Sequence, residues 1–213
     1  MNLELPVYML DITDDVNDES QVDYIALVDR PAIQKNWNAF NNSQKFEIVS
    51  ENRRIISGPI MLADTPIFRS DSQFGDYYVA FSKETIIKIA QKFFKKGFQS
   101  NVNLMHNSKQ TFEGVTLFES FISDQDRGIM PMKGFEDAPW GSWFGSMIVD
   151  NEEAWAKVKS GDIMGFSVEG LFNYSSYVAN KGNSNGQSNM ITSNERCATD
   201  ETVENYLKVL RFA

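Results

Sequence analysis

Cysteine and histidine are nearly absent from this chain. Its 213 residues hold one of each, Cys197 and His106. That excludes an intrachain disulfide and every zinc site built on Cys₂His₂, Cys₄ or His-Glu-x-x-His ligand sets. A lone cysteine fits a reducing compartment. Positive charge is also short, with 20 Lys+Arg against 29 Asp+Glu and a formal net charge of −9. A protein that neutralises phosphates needs a basic face, so nucleic-acid binding is set aside. No apolar run approaches the ~18 residues of a membrane span. The N-terminal MNLELPVYMLDITDDVNDES is acidic and lacks the basic start and continuous apolar stretch of a secretion signal. These absences predict a soluble, intracellular protein with no metal and no cofactor.

What is present is enough for a large core: 16 Phe and 4 Trp within a 42% apolar composition. Residues 1–21 read as an N-terminal arm ending in the acidic run 11–19. That run lacks the glycine and the closing glutamate of an EF-hand loop, so calcium is not expected. Short β-rich runs at 24–28, 46–49, 53–56, 60–62, 77–81, 101–105, 114–124, 142–150 and 163–172 read as strands, with Gly58-Pro59 marking a turn. SKETIIKIAQKFFKKGF is the clearest helix, with Ser82 as cap, an Ile86/Ile89/Ala90/Phe93/Phe94 stripe and Gly97 as stop. DNEEAWAKVKSG gives a second, with Asp150 and Glu153 at capping-box spacing and Gly161 as stop. Residues 125–141 form a Gly/Pro loop. From 173 to 194 the Ser/Asn/Gly-rich composition reads as a flexible linker. At the end, Val203, Tyr206, Leu207 and Leu210 fall on one face of a short amphipathic helix. The predicted domains are an arm at 1–21, a globular domain at 22–175, a linker at 176–199 and a helix at 200–213. Many strands with two helices predict an α+β fold, a curled, mostly antiparallel, β-barrel-like sheet with two covering helices.

Chemistry concentrates on few residues. A serine nucleophile needs a base within reach and a group that orients the base. The sole imidazole, His106, follows a short strand, and Ser167 lies 61 residues later between Gly165 and Gly170. Flanking glycines let a substrate backbone approach and leave a backbone N–H for an oxyanion. Taken singly, a lone histidine is more often a packing residue, and Glu119 or Glu169 more often a solvent-facing strand position.

The joint pattern carries more. HN…GVTLFESFISD, a Pro/Gly loop, and WFGSMIVDNEEAWAKVKSGDIMGFSVEGLF together resemble the XkdF-like phage serine protease family. That family is related to prohead maturation proteases and more distantly to herpesvirus assemblin. ALVDRPAI, SGPIMLADTPIFR and YYVAFSKETIIKIAQKFFKK extend the likeness over residues 22–175. The resemblance implies an assemblin-like fold and an endopeptidase that cleaves scaffold and major capsid proteins in the phage procapsid within the host cytoplasm. Self-association is a further possible partner relationship. Ser167 in GFSVEG matches the family's nucleophile and His106 in LMHN its base. Assemblin-type enzymes use a second histidine, which this chain lacks, so a carboxylate must serve if a triad exists. Glu119 in FESF is the first choice, on the expectation that its strand returns antiparallel beside His106. Glu169 is second. Asp23 is third, because YIALVDRPA resembles, in permuted position, the strand that follows the nucleophile in prohead proteases. The alternative reading is an inactive structural virion protein that retains the protease fold.

Overall fold

The computed structural model describes residues 5–29, 45–72 and 75–178. Its elements run β1 (Val7–Asp11), β2 (Gln21–Val28), β3 (Glu47–Ser50), β4 (Ile55–Met61), β5 (Ile67–Asp71) and β6 (Gly75–Phe81). They continue with α1 (Lys83–Lys95), β7 (Val102–Leu104), β8 (Asn107–Thr111), β9 (Val115–Ile122), β10 (Trp143–Val149), α2 (Glu152–Ser160), β11 (Gly165–Leu171) and β12 (Asn173–Val178). The fold is α+β. The strands form three four-stranded sheets, ordered β12-β1-β6-β5, β3-β4-β10-β9 and β11-β2-β7-β8. Pairing is antiparallel except for β1 with β6 and β2 with β7. Among the described residues no sheet closes on itself, so a barrel is not formed.

One core joins the three sheets. Trp143, Phe93, Phe81, Ile25, Leu27, Ile86, Ile89 and Met147 are buried together within it. The stripe on α1 supplies Ile86, Ile89 and Phe93, and the Phe93 ring meets Trp143 edge-on at 5.7 Å. Local chemistry sets the helix ends. Ser82 accepts from the Thr85 N–H to start α1. Asn151, rather than Asp150, caps α2 by accepting from the Ala154 N–H at 3.0 Å, and Gly161 ends it at φ 78°. Lys92 lies on the inner side of α1 yet keeps its charge partnered, donating to the Ser20 carbonyl at 2.8 Å. With Lys88, 3.3 Å from Asp11, it ties the acidic run to the helix.

Several segments depart from the sequence expectation. The Gly58-Pro59 step lies inside β4 rather than at a turn. β3 pairs with β4 only as far as Ser57, so Pro59 faces no donor-demanding partner on that side. Gly58 is needed because a Cβ there lies 2.8 Å from the Phe46 Cα. NSKQT, polar enough to read as loop, is β8, an edge strand. Val7–Asp11, within the expected arm, and Asn173–Val178, at the start of the expected linker, pair with each other as β1 and β12. The amphipathic helix expected at 200–213 lies outside the described residues, as does Cys197.

Candidate active site

Ser167 sits on β11, which is an edge strand of its sheet. The register across the sheet places Ser167 opposite Ala26 on β2, and Ala26 opposite Asn103 on β7. Residues paired in this way share a face. Glu169, two positions beyond Ser167, shares it too. That common face is where the polar side chains meet. Glu169 is 9% exposed, and its Oε2 accepts from the Asn103 Nδ2 at 2.7 Å. The His106 Nδ1 lies 3.9 Å from the same oxygen, with the histidine side chain 14% exposed.

His106 owes its position to an uncommon turn. Leu104 pairs with Asn107, leaving Met105 and His106 as the two central residues of a tight hairpin, with φ of 50° and 59°. Two left-handed residues in succession define a turn usually built from Asn-Gly. For side chains with a Cβ, each such conformation costs on the order of 1–3 kcal/mol and clusters at functional sites. The strain aims the only imidazole of the chain at Glu169.

The electrostatics favour a base. Burial lowers the His106 pKa from its ordinary 6.5, and the nearby Arg69 charge pushes it the same way. The ring is therefore neutral at pH 7. Two buried polar atoms border the carboxylate without a hydrogen-bond partner, His106 Nδ1 and Asn103 Oδ1. Orphaned atoms of this kind are rare in folded proteins. At 3.9 Å the His106–Glu169 contact is longer than a hydrogen bond.

A bulge adjoins Glu169. The β11–β2 register slips between Glu169 and Gly170. A Cβ at Gly170 falls 1.9 Å from the Gln21 carbonyl oxygen, so only glycine admits the close passage of β2. Bulges beside active sites re-aim a side chain in this manner. Gly170→Ala is expected to lower stability by about 1–3 kcal/mol through forced backbone displacement, and to turn Glu169 away from Asn103. Thermal unfolding alongside an activity assay checks both effects.

The other carboxylates stand elsewhere. Glu119 is exposed on β9, opposite Ser146 of β10, in a different sheet from His106. The expected return strand beside His106 is β8 instead, so the structure does not bring Glu119 to the imidazole. Asp23 is the extra residue where the β2–β11 register slips, and Gln21 donates to its carboxylate. β2 also separates the strands that bear Ser167 and lead to His106. At the usual strand spacing, Ser167 and Asn103 backbones are roughly 10 Å apart, with only the Ala26 methyl between them. No hydrogen bond joins Ser167 to His106 among the described residues.

Beside Ser167, on the side away from β2, is a crevice of about 40 Å³. Ile60 of β4, Ile67 and Arg69 of β5, Phe81 of β6, and Phe166 and Ser167 line it. Sequence reasoning missed Asn103 and Arg69. An asparagine inside the apolar run VNLM is a signal that could have been used, since polar groups in buried strands need partners. Arg69 had none, because nothing in its spacing links it to a serine 98 positions away.

Ser167, a neutral imidazole and a buried carboxylate are thus grouped around one sheet face, next to a largely apolar crevice. Residues 45–175 match the family model described as "Putative phage serine protease XkdF", and the chain belongs to that family. The match spans β3 through the first half of β12 and so contains Ser167, His106 and Glu169. No curated protein and no solved structure matches the chain.

Proposed function

We propose that this protein is a serine endopeptidase of phage head maturation, with Ser167 as nucleophile, His106 as general base and Glu169 as the group that orients it. The observation that carries this reading is the Asn103–Glu169–His106 chain on the face shared with Ser167. Asn103 fixes the carboxylate, and the carboxylate holds the proton of the imidazole on Nδ1. Nε2 is then the free base. As Ser167 Oγ attacks the scissile carbonyl, His106 takes its proton, becomes the imidazolium stabilised by Glu169, and returns the proton to the leaving amine. Water then attacks the acyl-enzyme by the same relay. With β2 intervening, productive contact between Oγ and Nε2 forms as substrate fills the edge of β11, since catalytic hydrogen bonds commonly tighten only in the complex.

The family membership supports phage origin and serine protease chemistry. The substrates proposed are scaffold and major capsid protein segments, the location the procapsid, and the wider kinship assemblin-like. Among the described residues no helix is long and apolar enough to cross a membrane. The test mixes purified scaffold and major capsid proteins of the phage with wild type and with Ser167→Ala. Defined fragments from wild type alone support the proposal. Intact substrates with both proteins, each folded, favour the inactive structural virion protein.

A further inference from the structure

We infer that a second, polar cavity beside the Glu169 network is a subsite for a basic side chain of the substrate, with Glu113 as its counter-charge. This rests on Ser167 being the nucleophile and adds the substrate class. The cavity, of about 350 Å³, lies where β2, β7 and β8 meet the start of β9. Tyr24, Ser100, Asn101, Thr111, Glu113 and Thr116 contribute its polar walls. Two of these residues are immediate neighbours of the network. Tyr24 on β2 stands opposite Glu169, and Thr111 on β8 stands opposite Asn103. Glu169 is two residues along β11 from Ser167. At ~3.3 Å per residue and ~4.8 Å between strands, the Tyr24 backbone is then about 8 Å from that of Ser167. An extended peptide reaches the cavity roughly two to four residues from the bond it presents to Ser167.

Charge, rather than size, narrows the occupant. Glu113 is the one charged residue among those lining the cavity. It is exposed and forms no ion pair among the described residues. Its backbone is anchored: the Glu113 carbonyl accepts from the Asn151 Nδ2 at 3.0 Å, and the Gly114 carbonyl from the Asp150 N–H at 2.7 Å. Much of the donor capacity around it is engaged. Asn101 Nδ2 donates to the Asp23 carbonyl at 3.0 Å, and the Ser100 and Thr116 hydroxyls bond each other at 3.0 Å. An acidic side chain entering here meets a like charge. An ammonium or guanidinium instead brings its own donors to a carboxylate and to hydroxyl oxygens. The Tyr24 ring adds an aromatic face of the kind that attracts cations. The overall field acts in the same direction, since a chain at net −9 draws basic segments toward it.

The experiment uses internally quenched peptides of about ten Ala and Ser residues, in which one position at a time is Lys, Gln or Glu. Mass spectrometry maps the cleaved bond. With Lys roughly two to four residues from that bond, wild type should show a kcat/KM about three- to fivefold above the matching Gln peptide, the size of an exposed ion pair. High salt should shrink the ratio. Glu113→Gln should bring it to about one, and Glu113→Lys should reverse it in favour of the Glu peptide. No positional preference for Lys, or an equal loss on all peptides in Glu113→Gln, overturns the inference. Fluorescence anisotropy with Ser167→Ala gives a readout independent of turnover. If Ser167 reacts with a fluorophosphonate but Lys and Gln peptides are treated alike, the subsite is refuted and the protease reading stands. The reverse result is no label and no cleavage, with Ser167→Ala binding Lys peptides more tightly than Gln peptides and Glu113→Gln abolishing the difference. The protease reading then falls and the subsite stands. Binding without preference overturns the subsite.

Discussion

Glu169→Gln is expected to leave the protein folded and to lower kcat by a factor on the order of 10⁴, the cost of losing the orienting carboxylate in a serine protease triad. The amide keeps the volume and still accepts from Asn103, so the network that positions the strand survives. What changes is the partner offered to His106. A carboxylate accepts the Nδ1 proton at either oxygen, whereas a glutamine can present its NH₂ and favour the tautomer with the proton on Nε2, which cannot act as base. Glu119→Gln, on an exposed position in another sheet, should change kcat less than twofold. Steady-state peptide cleavage by the two variants checks the ranking. Equal losses, or a greater loss from Glu119→Gln, would reassign the orienting group.

The second large effect is in the pH profile. Burial and then the Arg69 charge hold the His106 pKa below 6.5. A base of lowered pKa stays competent until the pH falls through that lowered value, so the acidic limb of kcat/KM lies below 6.5. Removing Arg69 as Arg69→Gln takes away the smaller cause. The limb should move up, toward 6.5 but not past it, because burial remains. The same shift carries a stability consequence. The unfolded chain binds the His106 proton more tightly than the native one, so this contribution is fully present above about 6.5 and declines as the pH falls from there to the native value. His106→Gln removes that dependence and, by deleting the base, lowers kcat by on the order of 10⁶. An acidic limb above 6.5 in wild type, or one that Arg69→Gln does not move, contradicts this assignment of the base.

The strands and helices with strong patterns were legible in the sequence. The α1 stripe and the apolar runs of β2, β7, β9, β10 and β11 all form where their periodicity placed them. Scarcity is what draws attention to two residues in the sequence: one imidazole, His106, in the whole chain, and one serine, Ser167, set between nearby glycines in GFSVEG. The placement of the carboxylates differs from the expectation for a specific reason. Along its strand Glu169 stands nearly 7 Å from Ser167, whereas across the sheet, over β2, it meets Asn103 and lies beside His106. Glu119 looked closer because NSKQT reads as loop. The Met105-His106 turn sends the chain into β8 and leaves β9 to pair with β10. A two-residue turn without Asn or Gly has no sequence signature, since its conformation is imposed by the strands it joins. The β1–β12 pair was hidden similarly, by composition that resembles arm and linker.

The most direct test of the account is reaction of the folded protein with a fluorophosphonate, followed by mapping of the adduct. The account predicts one modified serine, Ser167, labelled rapidly in wild type, far more slowly in Glu169→Gln and not detectably in His106→Ala. A folded protein that takes no label, an adduct at another serine, or labelling of Ser167 at an unchanged rate without His106 would contradict it.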